Sequence, residues 1–144
     1  MPTISFPQLG FSSEAAVDLS DKEVQTRLSR AGVPAFFKMA ELWQLKDEPA
    51  RLLLGGVSNG FFYQVKRGHK KTLDQDKLTR ISLLIGIFKA LNILYSRKLA
   101  DGWIHLANSN PMFQGDSPLN YMLKGGVPAM MRVRQLLDAR RGGL

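Results

Sequence analysis

The segment from Asp74 to Lys98 constrains the fold of this chain more than any other. Leu78, Ile81, Ile85, Phe88, Leu91 and Tyr95 recur at helical spacing and make one stripe, while Leu83, Leu84, Ile87, Ile93 and Leu94 fill the flanks beside it. A helix that is apolar nearly all round is covered from several sides. Lipid is not that cover, because the apolar run from Ile81 to Leu94 is interrupted by Lys89 and falls short of the ~20 residues that a bilayer crossing takes. The expectation is a shared wall between an N-terminal and a C-terminal helical module, or a part of a dimer interface. Asp74 or Asp76 near its start and the basic residues at its end suit the helix dipole.

The rest of the chain reads as shorter helices divided by glycine and proline. Residues 1–34 are expected to form an arm and a first helix, with Ser20 and Glu23 as a capping box and Val24 and Leu28 on one face. Ala31-Gly32-Val33-Pro34 is expected to break that helix. Residues 35–100 form the second unit. Phe36, Met39, Ala40, Trp43 and Leu45 give it an apolar stripe, and Asp47-Glu48-Pro49 reads as a cap and first turn for the segment up to Leu54. Residues 101–144 form the third. An irregular stretch from Ala107 to Asp116 precedes Ser117-Pro118, a serine cap with proline at the first helical position. That helix is expected to end at Gly125-Gly126, and a last one to begin near Pro128 and carry Met130, Val133, Leu136 and Leu137. No alternation of the strand type persists, so the fold class is all-α.

Composition removes several function classes. The chain has no cysteine and only His69 and His105, which excludes disulfide frameworks, thiolate metal sites and a cysteine nucleophile. No nucleophile, base and orienting group fall together, and Asp74 and Asp76 read as helix-start acids rather than a catalytic pair. We therefore expect no enzyme, no cofactor, no metal and no small-molecule substrate. The start, Met1-Pro2-Thr3-Ile4-Ser5, lacks the charged and apolar regions of a secretory signal, so a cytoplasmic protein is expected. The formal charge of +8 suits a polyanionic partner. It is split between the segment from Lys66 to Lys98 and a C-terminal group of Arg132, Arg134, Arg140 and Arg141, so two partners are possible.

The first basic region adjoins a helix-turn-helix pattern. Pro49 to Leu54, then Gly55-Gly56-Val57-Ser58, then Asn59 to Gly68 read as helix, glycine turn and a second helix opened by a serine cap. Ser58, Asn59, Gln64, Lys66 and Arg67 are the candidates to reach DNA, with Lys70 and Lys71 placed for phosphate. The opposing reading is a structural corner that touches no nucleic acid. Gly60 weakens the second helix by about 1 kcal/mol, and Phe61, Phe62 and Tyr63 leave few polar groups for base edges.

Taken together, Trp43, Leu54-Gly55-Gly56-Val57-Ser58, Tyr63 and Gly68, and more specifically Trp103, Asn110-Pro111-Met112-Phe113, Gly115, Ser117-Pro118-Leu119 and Gly125, resemble the Xre/MbcA/ParS antitoxin family. The resemblance runs from about Phe36 to Leu144 and implies an Xre-like helix-turn-helix packed through the long helix on a small toxin-binding domain. It implies a type II toxin–antitoxin pair whose toxin has a RES domain and consumes NAD. The antitoxin's C-terminal region would cover the toxin's active site, and the complex would repress its own operon. On these grounds Arg132, Arg134, Leu137, Arg140, Arg141, Gly142, Gly143 and Leu144 are the candidate toxin contacts, and operator DNA and a second copy of the chain are further expected partners. The alternative is a helix-turn-helix transcriptional regulator without a toxin.

Overall fold

A computed structural model describes residues 17–142. They form α1 (Lys22–Leu42), α2 (Asp47–Leu53), α3 (Asn59–Lys66), α4 (Gln75–Leu94), α5 (Arg97–Gly102) and α6 (Pro118–Arg141), with 3-10 turns at Trp103–His105 and Pro111–Phe113. Among the described residues there is no strand, and no helix is long and apolar enough to cross a membrane.

The central wall is α4. Asp74 caps it by accepting from the Lys77 amide at 3.1 Å, and Leu78, Ile81, Leu84, Ile85, Ile87, Phe88 and Leu91 are all buried. Its main neighbours are α1 and α6, so one chain supplies most of the cover that the apolar girth demands. The helix ends at Leu94 rather than running on to Lys98, because Tyr95 turns extended and Ser96 begins α5. Ile93 is 62% exposed, so it does not fill a flank of the core as its spacing suggests.

The first helix departs from its expected form at its cap and at Pro34. Its cap is Asp21, whose carboxylate accepts from the amides of Glu23 at 2.8 Å and Val24 at 3.3 Å, while Ser20 bonds back to Asp18. There is no break at Ala31 to Pro34; α1 runs straight through, so a boundary at residue 34 falls inside it. An interior proline removes one amide donor and costs roughly 3 kcal/mol. Pro34 and Arg30 both face water, which lets solvent satisfy the stranded Arg30 carbonyl. Continuing the helix buries Ala35, Phe36, Met39 and Ala40, and side chains such as Phe36 and Met39 are worth about 1.5–3 kcal/mol each, which outweighs the proline. Gly32 sits where a Cβ would touch the Ile81 side chain at 3.4 Å, so α1 lies close against α4 there.

In the C-terminal part the sequence pattern and the structure agree more closely. Ser117 Oγ accepts from the Asn120 amide at 3.1 Å, with Pro118 opening α6. Gly126, at φ 64° and ψ −146°, then interrupts the helix and divides it into arms 118–125 and 127–141. Only glycine enters that backbone region without strain. Met130, Val133 and Leu137 of the second arm are fully buried, which seats it against the rest of the core.

Candidate functional site

The α2–α3 corner is held by its own polar groups. Gly55 at φ 107° and Gly56 at φ 70° make the turn, and Arg51 straps it by donating to the Val57 carbonyl at 2.7 Å while gripping Glu48 at 2.6 Å. Ser58 Oγ accepts from the Phe61 amide at 3.2 Å and so serves as the cap of α3. Lys66 pairs with Asp47 at 2.5 Å and the Tyr63 hydroxyl donates to the same carboxylate at 3.2 Å, tying α3 to α2. The Lys66 hydrogen bond is the main reason the Asp47 carboxyl lies below its usual range. Arg67 donates to the Tyr63 carbonyl at 3.2 Å. Among the described residues the side chains of Asn59, Gln64, Lys70 and Lys71 make no hydrogen bond or ion pair, and all but the half-buried Gln64 are exposed. The seven residues singled out for DNA therefore share one corner, but three of them are already engaged in holding it.

The C-terminal arginines are not equivalent either. A Cβ at Gly86 would lie 1.7 Å from Nη1 of Arg134 and 2.5 Å from its Cζ, so this guanidinium rests on the bare backbone of α4. Its Nε also bonds Asp138 at 3.0 Å. Arg134 thus closes the α4–α6 contact. Leu137 is fully buried and belongs to the core, where its apolar side chain packs, rather than to a contact surface. Arg132 donates to the Tyr121 hydroxyl at 3.4 Å, Arg140 to the Tyr95 hydroxyl at 3.2 Å, and Arg141 lies 3.7 Å from Asp138. These three and Gly142 are exposed, whereas Gly143 and Leu144 lie outside the described residues.

Between the two regions stands a polar corner. Asn108 Oδ1 accepts from the Asn110 amide and Asn110 Oδ1 from the Met112 amide, both at 2.9 Å, and Gln114 and Gly115 turn the chain at φ 50° and 83°. Asp116 accepts from Asn120 at 3.0 Å, Lys124 at 3.1 Å and the Ser117 amide at 2.8 Å, which brings its carboxyl down to about 2. Trp103, Phe113 and Tyr121 follow edge to face, with centroids 6.1 and 5.2 Å apart, so Trp103 and Phe113 act as packing residues.

Residues 90–143 match the antitoxin Xre/MbcA/ParS C-terminal toxin-binding domain. The chain is also 40% identical over 114 residues to the uncharacterized protein y4oB of Sinorhizobium fredii, an alignment covering 78% of this chain and 86% of that one. The chain belongs to the Xre/MbcA/ParS antitoxin family. No solved structure matches it. The antitoxin's toxin-binding domain begins at residue 90, inside α4, and takes in α5, the Asn108 to Asp116 corner and both arms of α6. That span includes four exposed large apolar side chains, none of them among the candidate contacts taken from the sequence: Ile93, Leu99, Leu106 and Met131, at 62%, 61%, 62% and 47% exposure. A usable signal existed for one of them. Ile93 lies four residues after Lys89, on a face whose lysine had to meet water.

Proposed function

We propose that this antitoxin belongs to a type II pair, in which it binds and inhibits a RES-domain, NAD-consuming toxin and represses its own operon as a dimer on operator DNA. The observation that carries the first part is the toxin-binding domain match together with the exposed, cationic end of the second α6 arm, where Arg140 and Arg141 stand clear of the core. Cations at the end of a helix suit a cleft that receives an anionic dinucleotide. Ile93, Leu99 and Leu106 supply apolar contact area that a purely electrostatic plug would lack. For the second part, the support is the helix-turn-helix spacing of α2 and α3 and the free side chains of Asn59, Lys70 and Lys71.

The test is co-expression with the product of the neighbouring reading frame. The expected result is a stable complex on pull-down, rescue of growth and restored NAD level. Failure to capture or protect against a RES-type neighbour overturns the toxin assignment. Light scattering at micromolar concentration is expected to give at least twice 16.1 kDa, and a monomer would refute the dimeric reading, which rests on paired half-sites.

A further inference from the structure

A groove of about 520 Å³ opens between α1 and the stretch that follows α3. Its floor is apolar, made by Val33, Pro34 and Phe37 of α1 and Val65 of α3. The Phe37 ring is fixed in place, packed edge-on against Phe36 and Phe62 with centroids 5.3 and 5.5 Å away. The rim is cationic. Arg30 stands on the α1 side, His69, Lys70 and Lys71 stand opposite, and among the described residues no aspartate or glutamate lines the groove. Among the described residues Arg30, Lys70 and Lys71 have no ion pair and no side-chain hydrogen bond, in contrast to Lys66 beside them, which Asp47 neutralises. The hydroxyls of the wall are occupied: Thr26 and Thr72 bond one another at 3.2 Å, and Ser29 accepts from the Leu73 amide at 2.8 Å while donating to the Gln25 carbonyl.

Such a surface recognises by charge at the rim and by apolar contact on the floor. The volume lies within the roughly 300–1,000 Å³ of small-molecule sites. Duplex DNA presents phosphates outward and keeps its base faces stacked inside the helix, so it has no free ring to lay on Phe37 and Pro34. A flat apolar body carrying a phosphate uses both parts. We propose that this groove is a binding site for a small aromatic phosphate of the nucleoside monophosphate class, with the ring on Phe37 and Pro34 and the phosphate among Arg30, Lys70 and Lys71. Charge-assisted hydrogen bonds from guanidinium and ammonium groups to phosphate oxygens hold one end, and stacking holds the other.

The test is titration calorimetry on the full chain with adenosine 5′-monophosphate, adenosine, inorganic phosphate and a short single-stranded oligonucleotide. The monophosphate is expected to bind at least about tenfold more tightly than either adenosine or phosphate, since only it engages floor and rim together. Lys70→Ala with Lys71→Ala, and separately Arg30→Ala, are expected to reduce it to the adenosine level. Val33→Phe, which fills the floor without changing charge, is expected to reduce it to the phosphate level, with helicity checked by circular dichroism. Should Val33→Phe unfold the chain, the exposed lysine pair and Arg30 decide. Phosphate binding as tight as the monophosphate, no monophosphate binding, binding that survives the cation variants, or binding of the oligonucleotide alone each overturns the proposal. Because Lys70 and Lys71 also belong to the proposed DNA surface, ligand is read directly by heat, so a failure of operator binding leaves this test intact.

Discussion

The α2–α3 corner and the second arm of α6 are both basic, both helical and both end in a glycine-containing stretch, yet they distribute their cations differently. In the corner, Lys66 and Arg51 are matched by Asp47 and Glu48, and the unmatched lysines, Lys70 and Lys71, come only after the helix has ended. In the arm, one arginine, Arg134, is drawn inward onto Gly86, and the others are steered by neutral tyrosine hydroxyls or the single carboxylate of Asp138. Charge counts along the sequence make the two regions look alike. Availability separates them: the corner offers its cations from a loop, and the arm offers them from a helix end that the core holds in position.

The largest expected effect tests the arm. Deleting residues 139–144 removes Arg140 and Arg141, and the described residues among them, 139–142, are all exposed, so helicity and dimerisation are expected to stay near those of the intact chain. Protection against the toxin is expected to be lost, read as growth arrest and NAD depletion at matched expression. Full protection by the truncated chain would eliminate a plug at the active site and transfer inhibition to the body of the domain, from Ile93 to the Asn108 to Asp116 corner.

Next comes a contrast within the arm. Leu137→Ala is expected to cost about 2–5 kcal/mol of stability, as other core leucine truncations do, and to lower the melting temperature. Charge reversal of Arg140 and Arg141 is expected to leave melting nearly unchanged while weakening inhibition. Equal melting for both variants would place Leu137 at the surface and break the division between core and contact residues.

These predictions also mark what could be read in the sequence. The apolar girth of α4, the serine caps at Ser58 and Ser117 and the glycine break in α6 are local signals, written in residues a few positions apart, and the structure shows each of them. Pro34 misled because its penalty is local while its compensation is tertiary: the burial of Phe36 and Met39 on α4 is invisible to a window of ten residues. Arg134 misled for the same reason. Its partner is the missing side chain of Gly86, and no spacing rule connects a glycine in one helix to a guanidinium in another. The candidate DNA residues share a neighbourhood that the sequence shows, but which of them are engaged depends on Asp47, which reads in the sequence as part of a cap and first turn.

The corner's asymmetry has a smaller, measurable consequence. Arg67→Ala with Lys70→Ala is expected to weaken operator binding and flatten its dependence on log salt, each lost phosphate contact changing the slope by about 0.9. Asp47→Ala should act in the opposite direction, because it releases Lys66 toward phosphate; tighter binding with a steeper salt slope is expected in a filter or anisotropy assay. Unchanged affinity in both variants would mean that DNA, if bound, lies on another face.

The smallest effect compares the carboxylates that hold the two regions. Asp47 is lowered first by a cation, Lys66, whereas Asp116 is lowered first by the neutral amide of Asn120 and then by Lys124, reaching about 2. An unfolded aspartate titrates near 3.9. A depressed folded pKa means that the unfolded chain binds more protons in the interval between, so the stabilisation is present above about 4 and is lost as pH falls toward about 2. Asp116 is solvent-facing enough that the thermodynamic weight is slight, so the quantity to measure is the titration itself. Carboxyl chemical shifts are expected to place the Asp116 midpoint near 2, and Asn120→Ala is expected to raise it further than Lys124→Ala does. Added salt is expected to raise the Asp47 midpoint more than that of Asp116, because screening weakens a charge pair more than a hydrogen bond to an amide. If Asp116 titrates at the ordinary value, the cap joining the polar corner to the first α6 arm is not a fixed structure. The first α6 arm would then lack a fixed start, while the cations of the second arm would keep the seat that Met130, Val133 and Leu137 give them.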